Sequence, residues 1–378
     1  MKVFTYLKYF KTNQFLKFNA SISLFKYPSL SYNIIIKKSH NERNYENNKD
    51  KFNLFTKNLK NTLLCGTLVF SIKEFFENDC IKLDDDPLKD LVKQSWLHAK
   101  WNSYEKAIGY LHKALELAYK QKNDLIMTRI YLEMADIFVL SKNDAEDLYK
   151  LVLQRLTNIH NISNFHPSYI TTSIKLASVL AEKGNIRDAD IGFKHCILTQ
   201  KNNVLKIEKD LNNEINNEVL TAKALYGYAL NAYAQFLIKY GGEKLISEAQ
   251  MYIDNAIDQS NIVFGKNSTS TLHLINNFCA LCIMNNYFEI AKEYLEKAIK
   301  SIEENLGNEE ILVGMYCNYA EALYHLGNIE ESLTFANKGL LLSEKCSKEI
   351  NVFTANYTDS LKKTIKNENI KEKKWFLF

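Results

Sequence analysis

An all-α fold, a right-handed superhelical solenoid of about six helix pairs, is the architecture this sequence predicts, and three observations predict it. Breakers are scarce: 378 residues hold only 3 Pro and 12 Gly, so the chain lacks the punctuation of turn-rich β structure. Apolar residues make up 46% of the chain and recur at helical spacing, enough for one continuous core. Short polar turns then separate amphipathic segments that share a small–large pattern, repeated from Leu88 onward.

The first pair is clearest in WNSYEKAIGYLHKALEL, where Ala107 and Ala114 mark close approach and Leu111 packs between them. The second, IYLEMADIFVLSKNDAEDLYKLVL, places Ala135, Ala145, Tyr149 and Val152 in the same frame, with a turn about two residues short of the usual repeat. In the third, SIKLASVLAEKGNIRDADIGFKHCIL, the frame falls on Ala177, Ala189, Phe193 and Cys196, and Gly184-Asn185 supplies the turn. A charged stretch, KNNVLKIEKDLNNEINNEVL, lengthens a helix before the fourth pair, whose turn is Gly241-Gly242 and whose small positions are Ala249 and Ala256. The fifth pair carries Cys279, Phe288, Ala291, Leu295 and Ala298, and the sixth Ala320, Gly327, Ser332 and Gly339. Two helices per unit in series is the tetratricopeptide layout, here spaced about 38 to 60 residues apart, looser than the standard 34. The repeat domain is set at 88–350, followed by a basic C-terminal helix or tail at 351–378 that is free to cap the last pair, to fray or to dock its Trp-Phe end on a partner.

Charge divides the chain. Residues 1–60 carry 12 Lys plus Arg against Glu42, Glu46 and Asp50, and the remainder nets −5. A mildly acidic body argues against nucleic acid as the partner. Met1 to Asn41 contain no acid but seven Lys, among Phe, Tyr, Leu and Ser. That is the profile of a mitochondrial presequence, so 1–60 is read as one. Segment 61–80, containing LLCGTLVFSI, is short of the roughly 20 apolar residues of a full span and is read either as a short membrane anchor or as a buried or interfacial helix. Asp84, Asp85 and Asp86 before Pro87 signal a helix start.

Catalytic hardware is not found. The sequence shows no Gly-rich phosphate loop, no HExxH and no GxSxG, so no catalytic, cofactor-binding or metal residue is assigned. Cys279 and Cys282 form a CxxC, but a redox thiol belongs at a helix N-terminus and both lie in mid-helix, where packing is the expected role. Trp96 and Trp101 are expected to pack the first pair. What a solenoid offers instead is a curved face lined by the first helix of each pair. By helical phase the groove-facing candidates are Lys89, Trp96 and Lys100 in the first unit, His273 and Asn276 in the fifth, and Glu321, Tyr324 and His325 in the sixth.

The repeat domain resembles the mitochondrial tetratricopeptide repeat protein 19 family. The likeness is carried by ALELAYKQKND, by SIKLASVLAEKGN followed by GFKHCILT, and by the long charged helix after them. The order of basic leader, short apolar segment, acidic stretch and repeats fits as well. The resemblance implies a non-enzymatic scaffold at the mitochondrial inner membrane. Its implied partners are respiratory complex III subunits, including the Rieske protein, whose cleaved presequence fragments it would help to clear. A second resemblance, in FGKNSTSTLHLINN and ENLGNEE, is to kinesin light chain repeats. It implies a cytosolic peptide-binding adaptor, as would a co-chaperone, but no heptad coiled coil precedes the repeats.

Overall fold

The computed structural model describes residues 87–210, 217–303 and 309–375. The expected presequence 1–60, the apolar segment 61–80 and the acidic run Asp84–Asp86 lie outside the described residues. The described residues form thirteen α-helices, one 3-10 turn and no strand. They pair as α1 (Pro87–Lys100) with α2 (Tyr104–Lys120), α3 (Asp124–Leu140) with α4 (Glu146–Asn158), and α5 (Pro167–Glu182) with α6 (Ile186–Asp210). Then come α7 (Asn217–Tyr240) with α8 (Ile246–Phe264), α9 (Thr269–Met284) with α10 (Phe288–Glu303), and α11 (Glu309–His325) with α12 (Ile329–Ser343). The last helix, α13 (Lys348–Trp375), stands alone in sequence and packs on α12 and α11. The all-α class and the six helix pairs are therefore observed. Two compact units result, α1–α8 and α9–α13. Among the described residues no helix is long and apolar enough to cross a membrane.

Each pair closes through a turn with one residue at positive φ: Asn102, Lys142, Gly184, Gly242, Asn286 and Gly327, with φ between 60° and 86°. Gly and Asn are the residues that adopt this conformation at low cost, so Lys142 is the exception. Starts are capped locally. The Asn123 side chain accepts the Ile126 N–H at 3.1 Å, and Ser268 does the same for Thr271 at 3.2 Å.

In the first unit, Ala107, Leu111, Ala114 and Ala118 of α2 are sealed against Ile130, Met134 and Ile137 of α3. Burying one such Leu or Ile side chain contributes about 1.5–3 kcal/mol. Small residues let the helix axes approach, and the branched ones fill the space left between them. Further along, Phe193 meets Phe236 with ring centres 5.1 Å apart, and Tyr233 sits edge-on to Tyr252 at 4.7 Å. In the second unit α11 is covered on nearly every side, from Ile311 to Tyr324, because α9, α10, α12 and α13 all pack against it. A helix apolar all round needs such enclosure.

The short second turn is resolved in an instructive way. Ala107, Ala189, Ala291 and Ser332 each lie at the fourth position of their helix, but Ala145 is the N-cap of α4. It is nonetheless fully buried. The shortened spacing is absorbed by leaving out the first turn of α4, while the small residue keeps its place in the core. The charged stretch after the third pair lengthens both neighbours, giving α6 and α7 25 and 24 residues. They are tied near their far ends by Lys223 and Glu208 at 2.7 Å.

Candidate protein-binding face

The first helices of the pairs were expected to present polar side chains to a ligand. In the structure several of those side chains bond to the first helix of the next pair instead. Trp96 on α1 donates its indole N–H to Glu133 Oε2 on α3 at 2.9 Å, and Arg129 holds the other carboxylate oxygen at 2.5 Å. Asp136 on α3 accepts Lys175 Nζ of α5 at 2.9 and 3.0 Å and the Tyr149 hydroxyl at 2.7 Å. Lys239 on α7 reaches Glu182 on α5 at 3.3 Å. The second unit repeats the device: Asn318 Nδ2 of α11 donates to Asn276 Oδ1 of α9 at 2.6 Å, and the Tyr357 hydroxyl of α13 donates to Glu321 Oε2 of α11 at 3.1 Å.

This ladder decides what becomes of the sequence candidates. Trp96 remains one-third exposed, with its polar end engaged. Lys89 and His273 are half-buried, and Lys100 is exposed at the end of α1. Asn276, Glu321 and Tyr324 are buried; α13 lies on α11 and its Tyr357 takes up the Glu321 carboxylate. These three are interior groups of the second unit: Asn318 of α11 closes on Asn276 and Tyr357 of α13 on Glu321. His325 is exposed and stacks on Phe288 of α10, ring centres 4.3 Å apart, with Glu321 3.4 Å away. Trp101, expected in the packing of the first pair, is more than half exposed and touches His98 edge-on.

Glu133, Asp136, Lys175 and Asn318 were not singled out by sequence. Their signal was present: a charge or amide in the middle of an apolar run, as in IYLEMADIF and SIKLASVL, has to find a buried partner. Which partner it finds depends on helix stacking.

The described face offers hydrogen bonds and apolar contact, and the thiols Cys196, Cys279, Cys282 and Cys317 are buried in the core. Burial pushes the Cys196 thiol up to about 12, and raises Cys279, Cys282 and Cys317 too. A thiol so raised is a poor nucleophile at neutral pH. Among the described residues no group of three His, Cys, Asp or Glu stands where it would hold a metal ion.

The tetratricopeptide repeat family matches this chain at residues 313–346, which are most of α11, all of α12 and the turn after it. Mitochondrial tetratricopeptide repeat protein 19 of Mus musculus is 25% identical over 265 residues, covering 69% of this chain and 71% of its own. The Homo sapiens protein of the same name is 26% identical over 266 residues, covering 69% and 68%. Among solved structures, BtubC from P. vanneervenii is 15% identical with a TM-score of 0.41, covering 69% of this chain and 92% of its own. Repeat match and relatives together support a tetratricopeptide-repeat protein similar to mitochondrial tetratricopeptide repeat protein 19 over about two thirds of this chain.

Proposed function

We propose that this protein is a non-enzymatic, protein-binding scaffold that supports assembly and maintenance of mitochondrial respiratory complex III. On this reading it binds complex III subunits, including the Rieske protein, and aids clearance of the Rieske presequence fragments. The observation that carries it is similarity over about 265 residues to proteins named as mitochondrial tetratricopeptide repeat protein 19. The basic, acid-free stretch from Met1 to Asn41 supports import as a presequence. Association with the inner membrane is part of the proposal, through segment 61–80 or through the partner complex.

The test is a chromosomal knockout complemented by a C-terminally tagged chain. Expected are a processed mitochondrial product, co-purification of the Rieske protein from digitonin extracts, and accumulation of Rieske fragments with reduced complex III activity when the gene is absent. A diffuse, unprocessed cytosolic product would overturn the location. Import with unchanged complex III activity and unchanged fragment turnover would overturn the assignment to complex III.

A further inference from the structure

The outward face of α6 carries a feature that the helix-pair core does not use. Ile191, Leu198 and Leu205 are 56%, 59% and 55% exposed, seven residues apart in a row. The opposite side of the same helix, with Ala189, Phe193, Cys196, Ile197, Gln200 and Val204, is the buried one. His195 and Asn202 fall between the apolar residues and Lys209 follows Leu205, so the seam runs with alternating steps of four and three. That is the 3.5-residue spacing at which a second helix packs knobs into holes. At 25 residues α6 extends roughly 37 Å, long enough for three heptads. Lys194 on the border of the seam is paired with Asp190 at 2.9 Å; beyond it the borders hold Lys201 and Lys206, with Lys209 at the end. Of the acids in that span, Glu208 is turned to Lys223 of α7, and Asp210 lies about 100° round the helix from the seam.

We propose that this face of α6 docks an acidic amphipathic helix of another protein in coiled-coil fashion, with Asn202 fixing the register and Lys201, Lys206 and Lys209 meeting carboxylates. Charge selects this occupant. A second copy of the chain would set Lys201 against Lys201 about Leu198, and like charges across a seam are unfavourable. The chain's own first 60 residues, with 12 basic residues against 3 acids, are repelled in the same way. A lipid surface calls for a wide apolar face, of the order of 100° or more, whereas these three side chains span only about 40° of arc. A narrow seam bordered by Lys fits a single acidic helix. The docking surface stands apart from the ladder of first helices and does not depend on where in the cell the protein works.

The test uses the full-length protein and a fluorescein-labelled 25-residue helical peptide with Leu at the a and d positions, Asn at one a position, and Glu at e and g. The comparison peptide has Lys at e and g. Anisotropy should show saturable binding of the acidic peptide, at least ten-fold weaker binding of the basic one, and at least ten-fold loss for Leu198→Asp and for Lys201→Glu/Lys206→Glu. Because the side chains are exposed, unchanged circular dichroism and melting should accompany the loss, and Leu205→Ser serves if Leu198→Asp fails to fold. Binding of neither peptide, equal binding of both, or full binding by Leu198→Asp would overturn the proposal. So would capture by phosphatidylserine vesicles, or self-association in sedimentation, if either is abolished by Leu198→Asp.

Discussion

Replacing Lys175 by Met tests whether charge across the first helices holds successive pairs together. The Lys175 and Asp136 side chains are only 9% and 14% exposed, and their closest approach is 2.9 Å. Met keeps most of the aliphatic stem and removes the ammonium, leaving Asp136 with the Tyr149 hydroxyl at 2.7 Å as its remaining partner. Breaking a fully buried pair costs about 3–5 kcal/mol. The surviving tyrosine bond and the residual water access bring the expected loss to about 2–3 kcal/mol. For a domain of this size that is a fall in Tm of about 5–10 °C. The second arm is Asp136→Leu/Lys175→Met. Removing both charges leaves only the tyrosine hydroxyl unpaired, so this variant should regain about 1–2 kcal/mol over Lys175→Met, a coupling that independent sites would not show. Urea unfolding followed by far-ultraviolet circular dichroism reads both. A Lys175→Met variant within about 0.5 kcal/mol of the parent, or a double variant as unstable as the sum of its singles, would refute the role given to this pair.

Gly241→Ala should destabilise the first unit by about 1–3 kcal/mol, read by the same unfolding assay. An added Cβ would stand 2.6 Å from the Leu237 carbonyl oxygen and 2.9 Å from Leu245 Cβ, so the turn itself has to move. His166 caps α5, accepting the Ser168 N–H on Nδ1 at 3.2 Å, and burial holds its pKa below the ordinary 6.5. Its contribution is present above the unfolded-state pKa and is lost as pH falls through the lower folded value. The drop in Tm from pH 7 to pH 5 should therefore be smaller in His166→Asn, which still caps the helix. Cys196, Cys279, Cys282 and Cys317 are buried with raised pKa values. Peptide mapping after alkylation of the native protein should find them unmodified until denaturant is added, and rapid labelling of Cys279 and Cys282 would restore a chemical role for the CxxC.

Helix positions and their core faces were written in local sequence. Ala107, Ala177, Cys279 and Ala320 all fall where a small side chain is needed and are buried there, because small–large periodicity along one helix is a property of neighbours three and four residues apart. Gly184, Gly242 and Gly327 marked their turns for an equally local reason, the low cost of positive φ. Even the long charged stretch declared itself as a helix extension. The polar residues of the first helices were different. Helical phase put Asn276 and Glu321 on an open face, and in the structure Asn318, some forty residues on, and Tyr357 of the capping helix close over them. Asp136 and Lys175, 39 residues apart, carry complementary charges that sequence displays, but nothing in either segment says that the two helices lie side by side. Periodicity encodes which way a side chain faces relative to its own helix; what it meets there is set by the stacking of the next pair, and only the tertiary structure decided that.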